Sequence, residues 1–563
     1  MVAEKNEKVQ VVNDLVEEAS TSDSATTKPV KELKFGFLHI NPDEKIHRTL
    51  PLRIVNLIAF GGSIGTALFI TIGNPLMMGG PLSLVLAYWF WTIVMVILNT
   101  CVGEMVSYLP VVSPFTTLAG RCVDEALQFS SCWNFYLMES LYIPFEIVAV
   151  NGMIHFWRDD YSAGITLGVQ IVLYGIINIF AVRIYGESEF WLAIGKIVLA
   201  IGLLFFTLIT MCGGNPQHDA FGFRYWQVEG GPMVSYLGGD GSGGRFRGLV
   251  SCLVAAAFCV VGPEYISMVA SEAANPRVTM PRAFKTILYR LVIFYVLGSL
   301  SVSVLVAYND PTLVNAPAAG AAKSPYVVAM KNLQIKALPD IVNALIITSA
   351  FSAGNSYVYC SSRVLYSMAK QGFAPKIFSY CTKSGVPIFG VMMGMCFALL
   401  SLLQLGSNSA TVLSYLVSIC TGSQVLNYAF MGVTYIGFYR ACQAQGIDRT
   451  AFKFKAWFQP YGIYFSLTCL CVMVGILGYT NFLPGMFSVS DFLFSYIMVF
   501  VNLILIAFWK IFKRTKRVNP AEADLVTGLE EIEEHEYEYY AKLNVSPDDY
   551  KPSLKNKILG WIF

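Results

Sequence analysis

The chain has 563 residues, of which 55% are hydrophobic and 13% charged, and its mean hydropathy is +0.56. A soluble protein of this size needs about twice that charge to cover its surface, so a set of soluble domains is excluded. A net charge of +2 gives no reason to expect nucleic acid as a partner.

Residues 1–50 are rich in Glu, Lys, Ser and Thr and lack a signal-peptide pattern, so they read as a disordered tail. Crossing a bilayer takes about 20 apolar residues. Apolar windows of that order follow at 53–73, 82–108, 134–157, 164–184, 189–212, 248–270, 286–308, 340–362, 388–406, 411–436, 462–480 and 490–512. They predict a twelve-span domain over 51–512, followed by a tail over 513–563. An even number of spans puts both tails on one side. The loops on that side carry Arg121, Arg277, Arg282, Arg363, Lys376, Arg440 and Arg449, and the cluster from Lys510 to Arg517 closes the last span there. Positive charge marks the cytoplasmic side, so both tails are expected in the cytoplasm and the glycine-rich loop 213–247 outside. The thirteen cysteines are scattered, mostly within apolar runs and with no CxxC, and read as buried thiols.

Two spans are interrupted. Span one contains Gly61-Gly62-Ser63-Ile64-Gly65-Thr66-Ala67, and three glycines within five positions weaken a helix by roughly 1 kcal/mol each. Span six contains Phe258-Cys259-Val260-Val261-Gly262-Pro263-Glu264. Pro263 removes a backbone donor and is expected to open a second half-helix, with Glu264 near mid-membrane. The breaks lie five spans apart, an odd number, which inverts topology. Matching breaks in two inverted halves point to a transport site at the membrane midplane. Exposed N–H groups there suit an anion and exposed carbonyls a cation, and an amino acid carries both charges. Close helix packing is the structural alternative for Gly61, Gly62 and Gly65.

These residues resemble the fungal amino-acid permeases, the yeast amino acid transporter family of the amino acid–polyamine–organocation superfamily. The resemblance covers roughly 47–540. It rests on Gly61 to Phe69, on Gly103-Glu104-Met105 with Tyr108-Leu109-Pro110, and on Glu187 to Trp191 leading into Lys196. It rests further on Ser271 to Arg277 with Pro281-Arg282-Ala283, on Asn355-Ser356 with Tyr359 and Ser362-Arg363, and on Gln443 to Arg449. It implies an all-α membrane protein of two inverted five-helix repeats (LeuT-like) plus two C-terminal helices, with helices one and six broken. It implies import of amino acids by proton symport, most naturally at the plasma membrane. Ser63, Gly65, Thr66 and Ala67 would hold the substrate carboxylate, while Phe258, Gly262 and Glu264 would face the rest of it, the amino group included. Lys196 matches a lysine that stands where sodium-coupled relatives hold their ion, and Glu146 matches a third-span acid linked to proton coupling. Ala67 departs from the family's glycine and adds a methyl group where ligand and backbone meet. Arg121 to Glu125 with Trp133-Asn134 is similar to a branch associated with carnitine and polyamines, which stays open as an alternative, as does a nutrient sensor on the same scaffold.

Charges inside the membrane are costly and therefore candidates for function. Glu264 can also stabilise the half-helix it begins. Lys196, Glu146 and Glu264 form a candidate coupling set, although Lys196 in an ion pair within the bundle is the structural alternative. Glu139 lies seven residues before Glu146 on nearly the same face, with an ion pair to an inner-leaflet cation as its structural alternative, and Glu104 near the inner end of span two reads as a gate or packing partner. Asn355, Tyr359 and Ser362 share a helix face with Ser356 beside them, fitting either a pocket or gate or hydrogen bonds between helices. Thr421-Gly422-Ser423-Gln424 reads the same way. The five histidines have no metal-ligand spacing, and no phosphate-binding loop is present. An enzyme, an ATP-driven pump and a cofactor are therefore not expected. The expected partners are a small-molecule substrate, protons and membrane lipids, with trafficking or ubiquitin machinery on the tails.

Overall fold

The computed structural model describes residues 33–35, 38–41 and 65–542, except 159, 181, 229, 240, 274, 316–322 and 407–408. Among the described residues nine helices are long and apolar enough to cross a membrane, and two shorter apolar helices, Ala163–Ile179 and Tyr461–Ile476, join them. The first long helix, Gly73–Tyr108, is two spans. Gly80 (φ 78°) precedes Pro81 there and turns the chain, and an added Cβ would stand 2.8 Å from Val234 Cγ2. The polar groups freed by this turn are met by the far loop: Leu82 N donates to Pro232 O at 2.9 Å and Val234 N to Gly79 O at 3.0 Å. Counted so, the described residues supply spans two to twelve and the end of span one. The first half of span one, including Ser63, lies outside the described residues.

The break expected in span six has a structural counterpart, and that expected in span one lies mostly outside the described residues. Span one continues from Thr66 through a wide turn, Ala67–Thr71, before the regular helix begins. Span six runs as Gly241–Cys259, loses helical form over 260–263 and resumes as Glu264–Met268 and a tighter turn, Val269–Glu272. Pro263 occupies the cap position and Glu264 is the first helical residue, one place later than expected. Span three (Glu125–Ile154), span eight (Leu338–Lys370) and span ten (Ser409–Ala444) pack around these breaks. The outward faces keep apolar side chains exposed, with Trp191 at 70% and Ile504 at 65%, as a lipid-facing surface requires.

One end of the bundle carries the loop 213–247 and is called the far side here. The other end, the tail side, is covered by the chain after span twelve (Val489–Lys513). Val518 N donates to Val123 O at 2.9 Å, and Gln445 Nε2 to Ala523 O at 2.7 Å. A tail helix, Leu529–Lys542, then lies against the segment following span six. Arg277 pairs with Glu533 (3.1 Å) and Glu536 (3.5 Å), and Asn275 Nδ2 donates to Tyr540 at 3.0 Å. Leu525, ahead of this helix, and Ile532, on it, are buried. Within the segment expected to be disordered, strands Leu33–Phe35 and Leu38–Asn41 form a hairpin whose second strand pairs antiparallel with Cys381–Thr382.

Candidate substrate site

The two breaks meet in a cavity lined from spans one, three, six, eight and ten. Gly65, Ala67, Glu146, Phe258, Glu264 and Gln424 are among its walls, with Met138, Tyr142, Phe145, Tyr265 and Tyr357. Its volume, about 10 Å³, is on the scale of one water molecule, so a larger ligand requires its aromatic walls to move. Tyr142 stacks on Tyr357 (4.9 Å between ring centres), and Phe145 meets Phe258 edge-on at 5.0 Å.

The backbone at each break is held by side chains from other spans. At span one, Thr66 N donates to Glu146 Oε1 at 3.3 Å and Thr66 Oγ1 donates to Glu146 Oε2. An added Cβ on Gly65 would stand 2.5 Å from Glu146 Oε1. The carboxylate therefore occupies space that only glycine leaves. At span six, Val260 O accepts from Gln424 Nε2 (3.0 Å) and Tyr428 Oη (3.1 Å), and Val261 N donates to Tyr295 Oη at 3.3 Å. Gly262 N donates to Glu264 Oε1 at 3.2 Å, and Tyr428 Oη, whose one proton is shared between Val260 O and this carboxylate, lies 3.2 Å from the same oxygen. An added Cβ on Gly262 would run into Met95, Tyr428 and Glu264 Oε2. Glu264 Oε2 has no hydrogen-bond partner among the described residues.

The other candidates lie around this cavity rather than in its wall. Lys196 is fully buried, 4.0 Å from Glu189 Oε1, and Glu189 also accepts from Ser352 Oγ at 2.6 Å. The Lys196 charge acts on Glu146 as well as on Glu189. Asn355 accepts from Asn178 Nδ2 at 2.7 Å, tying span eight to span four, and Ser356 donates to the Ser352 carbonyl at 3.1 Å. Tyr359 lies beneath the Arg363 guanidinium at 3.5 Å. These three do not line the cavity, whose span-eight residue is Tyr357.

The two ends of the cavity differ. Toward the far side, Phe145 and Phe258 also border a second cavity of about 510 Å³, so this pair is a thin partition. Toward the tail side, Arg363 Nε bridges span eight to Glu272 of span six at 2.9 Å, with both side chains largely buried. Deeper still, Arg449 clasps Glu104 with two bonds (2.6 and 2.8 Å), and Tyr435 and Ala456 N complete the carboxylate's partners. The cavity is thus separated from the far side by one aromatic pair and from the tail side by two ion-paired layers. Tyr295, Tyr428, Glu189 and Glu272 were not among the sequence candidates, because nothing in the local sequence pairs them with the breaks.

A bundle of apolar helices with an interrupted span beside a buried cavity fits a transporter, and comparison supplies the family. Residues 55–520 match the family described as "Amino acid permease". The chain belongs to that family. The permease is 48% identical to the general amino acid permease AGP2 of Saccharomyces cerevisiae, over 88% of this chain and 86% of that one. It is 38% identical to a proline-specific permease of Emericella nidulans, over 86% and 89% of the two chains. A solved manganese transporter of Eremococcus coleocola shares its fold, with a TM-score of 0.52 at 12% identity, over 82% of this chain and 94% of that one. The permease is therefore an all-α, multi-pass membrane transporter and not an enzyme, in a family whose activity is amino acid transport.

Proposed function

We propose that this permease imports amino acids by proton symport, with its tail side in the cytoplasm and the plasma membrane as its site. The observation carrying this reading is the double hydrogen bond from Thr66 to Glu146. An ionised Glu146 occupies the donors that a substrate carboxylate needs at the span-one break. Taking up a proton removes the charge that holds Thr66 and frees its N–H for the substrate. Glu264 Oε2 then faces the ammonium group. Lys196, neutralised in part by Glu189, supplies fixed positive charge behind Glu146 in place of a bound cation. Proton and substrate in this scheme enter together because one carboxylate answers to both.

A second reading is favoured by the aromatic walls. Tyr142, Tyr357, Phe145 and Phe258 beside Glu264 suit a substituted ammonium, such as that of carnitine or a polyamine, through cation–π contact. Uptake into proteoliposomes, with pH and sodium gradients imposed separately and amino acids, carnitine and spermidine in competition, tests both. Accumulation driven by the pH gradient is expected, and Glu146→Gln and Lys196→Ala should retain exchange while losing most of it. Accumulation driven by sodium at matched pH would refute the coupling. Binding without accumulation would make the protein a sensor.

A further inference from the structure

Span three carries a second carboxylate that the scheme above leaves unused. Glu139 is fully buried, and neither of its oxygens has a hydrogen bond of good geometry among the described residues, although the Tyr265 hydroxyl lies close enough to act on it as a donor. An acid in that position inside a membrane protein calls for a cation or a donor. It precedes Tyr142 by three residues on the same helix face, about 4.5 Å nearer the tail side. Tyr142 lines the cavity and Glu139 does not. Met138, beside Glu139, closes that end of the wall, so a ligand in the cavity as it stands meets Met138 and Tyr142 rather than Glu139.

Other polar atoms toward the tail side of the cavity are also short of partners. Glu264 Oε2, Ser267 Oγ and both amide atoms of Asn427 are buried without hydrogen-bond partners among the described residues. Ser267 lies one turn beyond Glu264 toward the tail side, and Asn427 lies three residues beyond Gln424 in the same direction. Glu139 is near enough to Glu264 and Tyr265 to interact with both. Below this layer comes the Glu272–Arg363 bridge, its Arg363 six residues past the cavity-lining Tyr357, or about 9 Å along the helix. Spans three, six and ten thus each place polar atoms lacking well-formed hydrogen bonds at the tail-side end of the cavity or beyond it, on the way to the tail-side closure.

We infer that Glu139, with Glu264, forms an exit station for the ammonium group of the substrate, used once the Glu272–Arg363 closure parts. This rests on the amino-acid reading above. Glu264 sits on the half-helix that alternating access displaces, whereas Glu139 sits on an unbroken span packed against span eight. A departing ammonium would pass from the first carboxylate to the second, and Glu139 would act as a specificity and positioning residue on the tail side only.

The test uses the full chain in sealed vesicles of known sidedness, with whichever labelled amino acid of a full panel the native protein accumulates. KM is measured for entry from the far side and for return from the tail side. Glu139→Gln should leave the far-side KM within about twofold and raise the tail-side KM at least tenfold, with Glu139→Asp recovering part of the loss. Native values on both sides would overturn the inference. So would equal losses on both sides with a lowered melting temperature, which would make Glu139 structural. Should the glutamine variant not fold, the native protein is treated with dicyclohexylcarbodiimide and the Glu139 peptide followed by mass spectrometry. Protection by the amino acid added on the tail side, and not on the far side, is expected; labelling indifferent to the amino acid overturns the inference. A native protein that takes up no amino acid on the panel overturns the amino-acid reading first, and this inference with it.

Discussion

Gly65 is fixed by what an extra carbon would meet. Its Cβ would stand 2.5 Å from Glu146 Oε1 and 3.1 Å from the Ala353 methyl. Both contacts are too short to keep, and the carboxylate is the one able to move. Gly65→Ala should therefore dislodge Glu146 from Thr66 without disturbing the bundle. Uptake should fall at least tenfold, while the melting temperature of purified protein stays within a few degrees. Native uptake by this variant would remove the Thr66–Glu146 contact from the mechanism. Ala67 sits two residues on and contributes its methyl group to a cavity about one water molecule in size. The sequence exposed this pair of positions because glycine clusters and a missing glycine are visible locally. It could not disclose that Glu146, 80 residues away, fills the space.

At the scale of elements, the break in span six was legible because Gly262-Pro263 acts on its own backbone. Its supports were not legible. Tyr295 and Tyr428 come from spans seven and ten, and their roles depend on how helices pack. Span eight illustrates the same limit. Its period places Asn355, Tyr359 and Ser362 on one face, yet period alone does not say which neighbour that face meets. Asn355 meets Asn178 of span four, and Tyr357, two positions on and roughly 200° around the helix, meets the cavity. The closure at the end of span two is clearer. Glu104 was read as a gate or packing partner, and it is wholly buried with two bonds from Arg449. Removing one partner of such a pair strands a buried charge, at about 3–5 kcal/mol. Arg449→Ala should lower the melting temperature strongly, and adding Glu104→Gln should recover part of the loss. No recovery in the double variant would mean that Arg449 stabilises by packing alone.

Across the whole molecule, the tail is tied to the transporter at several points. Leu525 and Ile532 contribute about 1.5–3 kcal/mol each as upper estimates, and the partly exposed ion pairs of Arg277 add less than about 1 kcal/mol each. A chain ending at Lys513 should still insert and fold, because the twelve spans keep their contacts with one another. It should melt several degrees lower in detergent. Native thermal behaviour would show that the tail rests on the surface without holding it.

Asn275 and Arg277 directly follow the half-helix that ends at Glu272, and they are the residues the tail helix grips. Tipping that half-helix either drags the tail helix along or pulls it free. In both cases the distance between the tail helix and the short helix Pro114–Cys122 is expected to change with each turnover. Two dyes, one on each, would turn the permease into its own indicator, with energy transfer rising and falling as cargo crosses.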